Sequence, residues 1–367
     1  MYVSTWPGLH LRNAAGARTR APFPLADADG GIYFYRARGA LYYLFQRLAP
    51  GGVVLVPDYH HGNEVAAIRA AGAKVRFYPV DRQMRPDLEA LRRLAADGAS
   101  ALLVIQYLGW PAPMREILPI AKSHGLTLVE DCALSLLSCD GEIPLGSMGD
   151  YSVFCLYKTL PVPNGGLLHG NAGAPVLPHC GPLSVTARVA ELSIESLRGR
   201  REWLGASLAG LKRLAGRSFT AVGVSRAPIG DSGFNVEQAK LGMSPMCHRL
   251  LARFDFAEIV RKRRANFEHL RDALEGSVTA LFHELPPGVC PLFFPIFVAD
   301  KGGAARRLHE RGIGAVEFWN EGDPEAYREG SDAAFLRHHV LELPVHQDVS
   351  PEQIDFIARE ARGLEAP

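Results

Sequence analysis

Two residues in this chain have the types and placement to do chemistry together. Asp131 closes the apolar run Leu126-Thr127-Leu128-Val129-Glu130, and Lys158 follows 27 residues later, after Tyr151-Ser152-Val153-Phe154-Cys155-Leu156-Tyr157. An apolar run of this length after Lys-Ser-His-Gly predicts a buried parallel strand. A carboxylate at its carboxyl end faces the crevice where open α/β sheets bind ligands. A lysine and an aspartate delivered to one crevice suit pyridoxal phosphate (PLP). The amine forms a Schiff base with the aldehyde, and the carboxylate keeps the ring nitrogen protonated so that the ring accepts electrons. The ordinary reading stands beside this one: a lysine after a strand is usually a solvated strand end, and an aspartate before a helix is usually a cap. The pair alone leaves both open.

The elements that must position the pair read as an alternation of strands and helices from Ile32 onward. Val53–Pro57 is a short apolar strand, Glu64 to Ala71 reads as a helix stopped by Gly72, and Lys74–Tyr78 is the next strand. Pro86 to Leu94 has helical periodicity, Ala101 to Tyr107 is a strand, and Met114 to His124 is a helix ended by Gly125. This β-α-β spacing implies an α/β fold with a mainly parallel sheet flanked by helices. After Lys158, Pro163-Asn164-Gly165-Gly166 turns into another strand, and Leu183 to Leu214 reads as one or two long amphipathic helices. Beyond about Met243 the character changes. Arg249 to Leu274 reads as one long helix, Pro291 to Val298 as an aromatic strand, Ala304 to Arg311 as a helix, with a last helix from Pro351. The expected organisation is an N-terminal arm over 1–31, a large cofactor-binding domain over 32–242 and a smaller α+β domain over 243–367.

Composition narrows the function classes. With 47% hydrophobic and 22% charged residues the chain is an ordinary globular protein long enough for two domains. A net charge of +1 argues against a general nucleic-acid binder. The six cysteines include no CxxC pair, which points away from a zinc site or a disulfide framework and toward a reducing cytoplasm. His60, His61 and Glu64 do not suggest a metal centre, because adjacent histidines on a turn cannot readily chelate one ion without a third matched ligand. No apolar run approaches the roughly 20 residues that cross a bilayer, and the first residues lack the apolar core of a signal peptide. These readings predict a cytoplasmic protein with no membrane or nucleic-acid partner.

The order of motifs between about 33 and 361 resembles the DegT/DnrJ/EryC1/StrS family of PLP-dependent sugar aminotransferases, of fold type I. Arg36-Ala37-Arg38-Gly39-Ala40-Leu41 stands where the family has a Ser-Gly-Thr-x-Ala-Leu helix start, and Val56-Pro57-Asp58-Tyr59-His60-His61 where it has V-P-S-F-T-aromatic. Tyr107-Leu108-Gly109-Trp110-Pro111-Ala112-Pro113-Met114 is similar to its L-Y-G-Q-P-A-D-M, and Val129-Glu130-Asp131 with Leu145-Gly146-Ser147-Met148-Gly149-Asp150 completes the catalytic half. Gly242-Met243-Ser244, Arg311-Gly312-Ile313-Gly314 and Leu343-Pro344-Val345-His346 resemble its later motifs.

The resemblance implies that Lys158 carries the cofactor and Asp131 pairs with its ring nitrogen. It also implies that His61, or the adjacent His60, stacks on the ring, while Arg38 and Gly39 open a helix that holds the phosphate. Cys155 stands where a phosphate-binding serine is expected, and Leu134 where the family often has a polar residue. The implied reaction moves an amino group from an amino acid, glutamate or glutamine, to a keto-sugar, a cyclitol or a related keto acceptor. The implied assembly is a homodimer, with Asn235 or Lys240 offered to the neighbour's site. Two alternatives stay open: PLP chemistry of another kind, a lyase or dehydratase, and a non-catalytic PLP-binding member. Leu134, the shortened loop before Lys158 and the Leu183–Leu214 segment together predict an acceptor smaller or less charged than a nucleotide-sugar.

Overall fold

Strand Ala101–Ile105 has every residue buried, which requires both of its faces to be covered, and the whole sheet is built on that condition. The computed structural model describes residues 1–10, 21–25, 31–173, 175–200 and 233–367. Nine strands, β1 (Gly31–Phe34), β2 (Val53–Pro57), β3 (Lys74–Tyr78), β4 (Ala101–Ile105), β5 (Thr127–Cys132), β6 (Cys139–Asp140), β7 (Ile143–Pro144), β8 (Tyr151–Cys155) and β9 (Gly166–His169), precede residue 170. Seven of them form one sheet in the order β1-β9-β8-β5-β4-β2-β3, while β6 and β7 pair as a small hairpin. Pairing is parallel from β3 through β8, and β9 and β1 close one edge antiparallel.

Helices α1 (Ala37–Leu48) and α2 (Asn63–Ala70) cover one face, burying Leu44, Phe45 and Ile68 against Val54 and Leu103. Helices α3 (Leu88–Ala96) and α4 (Met114–Ser123) cover the other, packing Leu91, Ile117 and Ile120 on Leu55 and Leu102. Adjacent Leu102 and Leu103 point to opposite faces, and each fully buried leucine contributes about 1.5–3 kcal/mol. Asp87 caps α3 by accepting from the Glu89 and Ala90 amides. The mainly parallel α/β sheet expected from the sequence is thus the observed one.

A second unit carries strands β10 (Thr279–Ala280), β11 (Phe293–Phe297) and β12 (Val340–Pro344) in one antiparallel sheet. Helices α5 (Leu156–Thr159), α6 (Pro182–Arg200), α7 (Val236–Ala239) and α8 (Pro245–Leu251) come between the two sheets in the chain, followed by α9 (Phe256–Leu274), α10 (Lys301–Glu310), α11 (Asp332–His339) and α12 (Pro351–Ala361). The single helix expected over 249–274 is two. Asp255 accepts from the Glu258 amide and starts α9 afresh. Met243, Cys247, Phe254 and Ile259 still pack on Phe154, Leu156 and Leu160, so the chain leaves the large sheet's core within α9 rather than at 243. Residues 1–10 are no free arm: Val3 is buried and forms a parallel bridge with Ile313. Helix α6 realises the first part of the Leu183–Leu214 reading; its remainder, 201–214, lies outside the described residues.

Arg263 of α9 joins the two units. It is 1% exposed, and its guanidinium donates to Gln347 Oε1 (2.9 Å), to the Pro291 and Leu292 carbonyls (both 3.1 Å) and to the Thr159 carbonyl (3.2 Å). Removing it strands these acceptors where water cannot replace the donor. Arg263→Ala is therefore expected to cost about 3–5 kcal/mol in urea unfolding. A loss within 0.5 kcal/mol, the usual range of surface substitutions, would contradict this account.

Candidate active site

Strand alternation sends neighbouring carboxylates Glu130 and Asp131 to opposite faces of β5. Glu130, fully buried, accepts from Gln106 Nε2 (2.7 Å) and from the amides of Gly146 (2.9 Å), Met148 (2.9 Å) and Gly149 (2.7 Å). Four donors satisfy a charge that burial would otherwise make prohibitive, and they pin the 145–150 turn against β5. Asp131 faces the other way, into a cavity, with Oδ1 accepting from the Ala133 amide (2.9 Å). Its register partner on β8 is Val153, five residues before Lys158.

Lys158 sits in α5, the single helical turn that follows β8. The Leu156 amide donates to the Gly165 carbonyl (3.0 Å) and Leu160 to Leu156 (2.8 Å), closing the turn. The Thr159 carbonyl is held from the second unit by Arg263 and by Gln347 Nε2 (3.1 Å). Lys158 Nζ lies 5.6 Å from the centre of the Phe318 ring.

Lys158 and Asp131 line one cavity of about 390 Å³. Arg36 and Arg38, at the start of α1, line it as well, with Leu134, Cys155 and Tyr157. Arg36 Nη1 donates to the Tyr157 hydroxyl (3.3 Å), and the guanidinium lies 5.4 Å from the Tyr35 and Tyr157 ring centres. His61 is on the wall too, its amide donating to Glu64 Oε1 (2.8 Å) and its Nδ1 3.2 Å from Asn63 Nδ2. Burial pushes the Asp131 carboxyl up to about 7, with the Glu64 carboxylate adding to the rise; the Ala133 amide and the Lys158 ammonium pull the other way. Burial also raises the Cys155 thiol, so it presents a neutral group to the cavity.

Two expected site residues fall elsewhere. His60 is buried outside the cavity: it stacks on Phe77 at 5.2 Å, its Nδ1 meets the Pro57 carbonyl (2.9 Å), and its Nε2 accepts from the Asp323 amide (2.9 Å). With both ring nitrogens engaged and the ring packed, it ties the β2–α2 loop to the second unit. Gly39 is required by packing, because a Cβ there would lie 2.7 Å from the Ala239 carbonyl oxygen. Its amide donates to Arg36 (3.0 Å) and is not free for an anion. Asn235 caps α7 and Lys240 pairs with Glu237 (2.8 Å), both away from this chain's cavity. Arg38, expected at the site, is joined on the cavity wall by Arg36 and Arg188.

Sequence reading also missed Glu64 as a neighbour of Asp131, and it missed Trp6, Arg188, Phe318 and Trp319. The run Val316-Glu317-Phe318-Trp319 after Arg311-Gly312-Ile313-Gly314 carried a signal, since two aromatics at the end of a glycine turn suit a binding wall.

Residues 40–174 match the DegT/DnrJ/EryC1/StrS aminotransferase family. That stretch, a little over a third of the chain, is what resembles the family. A dTDP-4-dehydro-2,3,6-trideoxy-D-glucose 4-aminotransferase of Saccharopolyspora spinosa is 26% identical over 228 residues, which is 60% of this chain and 59% of that enzyme. A probable glycine dehydrogenase (decarboxylating) subunit 2 of Thermus thermophilus is 36% identical over 142 residues, 38% of this chain and 28% of that protein. The chain thus matches less than two thirds of either relative's length. Among solved structures, the aminotransferase TlmJ of Streptoalloteichus hindustanus superposes over 99% of this chain and 98% of its own, with a TM-score of 0.67 and 20% identity, a likeness of fold.

The raised Asp131 carboxyl sets a pH dependence. Its folded value, about 7, lies above the unfolded value near 3.9. The contribution to stability is therefore whole below about pH 4 and lost as pH rises through about 7. Asp131→Asn removes the loss while keeping an acceptor for the Ala133 amide. The cofactor-free variant is expected to match wild type near pH 4 and exceed it at pH 8 by on the order of 2–4 kcal/mol in urea unfolding. A variant less stable than wild type at pH 8 would reject this burial argument.

Proposed function

We propose that the protein is a PLP-dependent aminotransferase that moves an amino group from an amino acid, glutamate or glutamine, to the keto group of a sugar, cyclitol or related acceptor. The observation that carries the reading is the meeting of Lys158 and Asp131 in one cavity, beside the α1 start with its two arginines. The family match and the relative named as a keto-sugar 4-aminotransferase support it.

The donor set fits the cofactor. Lys158 offers the amine that would hold it, and Asp131 offers a buried carboxylate for a protonated ring nitrogen. Arg36 and Arg38 offer guanidinium donors for a phosphate at the positive end of a 12-residue helix. His61 offers a flat ring to lie along the pyridine. Bound there, PLP supplies an electron sink for the bonds at the amino acid's α-carbon.

The chain's own part is positional. Asp131 keeps the ring nitrogen charged, and a cation beside it restores the ionised state that burial opposes. Lys158, on a turn fixed from the second unit, would take the proton from the amino acid's α-carbon and hold it for return. Cys155, a neutral thiol, places no charge against the phosphate. Phe318 and Trp319 exclude water from the lysine's side.

We read the chain as a large domain from 32 whose core, expected to close at 242, extends to Ile259 in α9, followed by a small domain, working as a homodimer in which Asn235 or Lys240 of one copy meets the other's phosphate site. All six cysteines are free, which supports a reducing, cytoplasmic setting.

Protein reconstituted with PLP is expected to show a visible absorption band and to retain the cofactor covalently after borohydride reduction. Lys158→Ala is expected to lose the covalent retention while melting as wild type does. Retention by the variant at the wild-type level would overturn the assignment of Lys158. Sedimentation is expected to give a dimer; a fully active monomer at micromolar concentration would reject the shared site.

A further inference from the structure

The N-terminal strap delivers Trp6 to the cavity, and it is anchored on both sides of that residue. Upstream, the Val3 amide donates to the Gly312 carbonyl and its carbonyl accepts from Gly314, both at 2.8 Å. Downstream, the Gly8 amide donates to Asp348 Oδ2 (2.9 Å), and His10 Nε2 lies 2.7 Å from Asp348 Oδ1. Leu9 donates to the Leu192 carbonyl of α6 (3.1 Å). Between the anchors Trp6 packs edge-on to Phe293 at 5.1 Å and lies 6.1 Å from Phe318. Phe318 and Trp319 continue the same wall.

Trp319 has two further marks of a binding residue. Its backbone is left-handed at φ 57, and its buried indole nitrogen has no hydrogen-bond partner among the described residues, in a residue that is 7% exposed. Arg188, from the helix that grips the strap, reaches the cavity with its guanidinium paired to Glu191 one turn along (2.9 Å).

We propose that Trp6, Phe318, Trp319 and Arg188 form the acceptor subsite, which takes a compact single-ring keto compound with one apolar face and one anionic substituent. The aromatic faces cover ring C–H bonds, and Arg188 meets one anion. Size argues the same way. A cavity of about 390 Å³ is near the low end of ligand pockets, roughly 300–1,000 Å³, and must hold cofactor and acceptor together. Once Arg36 and Arg38 hold the cofactor phosphate, Arg188 is the arginine left among the described lining residues, and Glu64 and Glu317 on the same wall disfavour a second anion. This assignment rests on the aminotransferase reading for the word acceptor, and its binding test does not.

The test is calorimetric binding of 3-oxocyclohexanecarboxylate, 2-keto-myo-inositol and dTDP-4-keto-6-deoxyglucose to cofactor-free and PLP-loaded protein. Wild type is expected to bind the carboxylate most tightly. Trp6→Ala is expected to weaken that binding about tenfold or more, while Trp6→Phe stays within about threefold. Arg188→Gln is expected to remove the preference for the carboxylate over the uncharged keto-inositol. Asp348→Ala, which touches no cavity wall but frees the strap, is expected to follow Trp6→Ala with the melting temperature reported alongside. Tightest binding of the nucleotide sugar, or unchanged binding in a folded Trp6→Ala protein, would overturn the proposal. Failure of wild type to take up PLP, with Trp6-dependent binding intact, would instead sink the aminotransferase reading and leave the subsite standing.

Discussion

The Thr159 carbonyl, gripped by Arg263 and Gln347 from the second unit, is the contact on which the site depends. Lys158 precedes it on a single turn of four residues, too short to hold itself by its own hydrogen bonds. A flexible lysine on such a turn would sample many positions. Two donors from residues far along the chain fix the carbonyl next to it, and Arg263 is in turn fixed by the Pro291 and Leu292 carbonyls at the start of β11. The second unit therefore does more than close over the crevice. It determines where the amine stands relative to Asp131.

On the sheet side the same task falls to Glu130. Its four donors come from β4's end and from the 146–149 turn, so the carboxylate binds the segment leading into β8 to the strand that carries Asp131. Gly149 fits there because a Cβ would lie 3.0 Å from the Leu128 carbonyl oxygen and 3.2 Å from Glu130 Cγ. Asp150 adds a bond from the Leu128 amide (2.8 Å). The strand that bears the aspartate and the strand that leads to the lysine's turn are thus locked in register by side chains on the face opposite the cavity.

Much of this was legible in the sequence. Strands covered on both faces must be apolar throughout, so Val53–Pro57 was read with its observed limits; the edge strand Lys74–Tyr78, which mixes apolar and charged residues, was read too, and Asp131 and Lys158 showed as polar residues at strand ends. Other choices depend on register in a loop. His60 and His61 are adjacent, and only tertiary contact sends one ring against Phe77 and the other to the cavity. Gly39 was misread because close approach to a helix and close approach to a phosphate demand the same missing Cβ. The break before α9 was visible as Asp255-Phe256-Ala257-Glu258, a capping pattern that the long charged run obscured. Trp6, Arg188 and Phe318 come to the site from segments whose local pattern concerns other contacts, and no spacing in the chain announces their meeting.

The wall formed by Phe318 and Trp319 shows what buried charge does in this fold. Lys301 Nζ donates to the Phe318 carbonyl (2.7 Å) and Glu342 Oε2 accepts from the Phe318 amide (3.1 Å), so one peptide is held at both poles. Burial pushes the Glu342 carboxyl up and the Lys301 ammonium down, which means each resists its own charge. Arg337 Nη1 donates to the Trp319 carbonyl (3.0 Å), and the same guanidinium reaches Asp58 and His60 on the β2–α2 loop (both 2.8 Å). Buried ionic groups add little net stability over apolar residues of equal volume. A left-handed tryptophan with an unbonded indole nitrogen adds none. What the three charges provide is a fixed position for two aromatic rings that would otherwise relax away from Lys158, and a protein gains by that only if something must be recognised there.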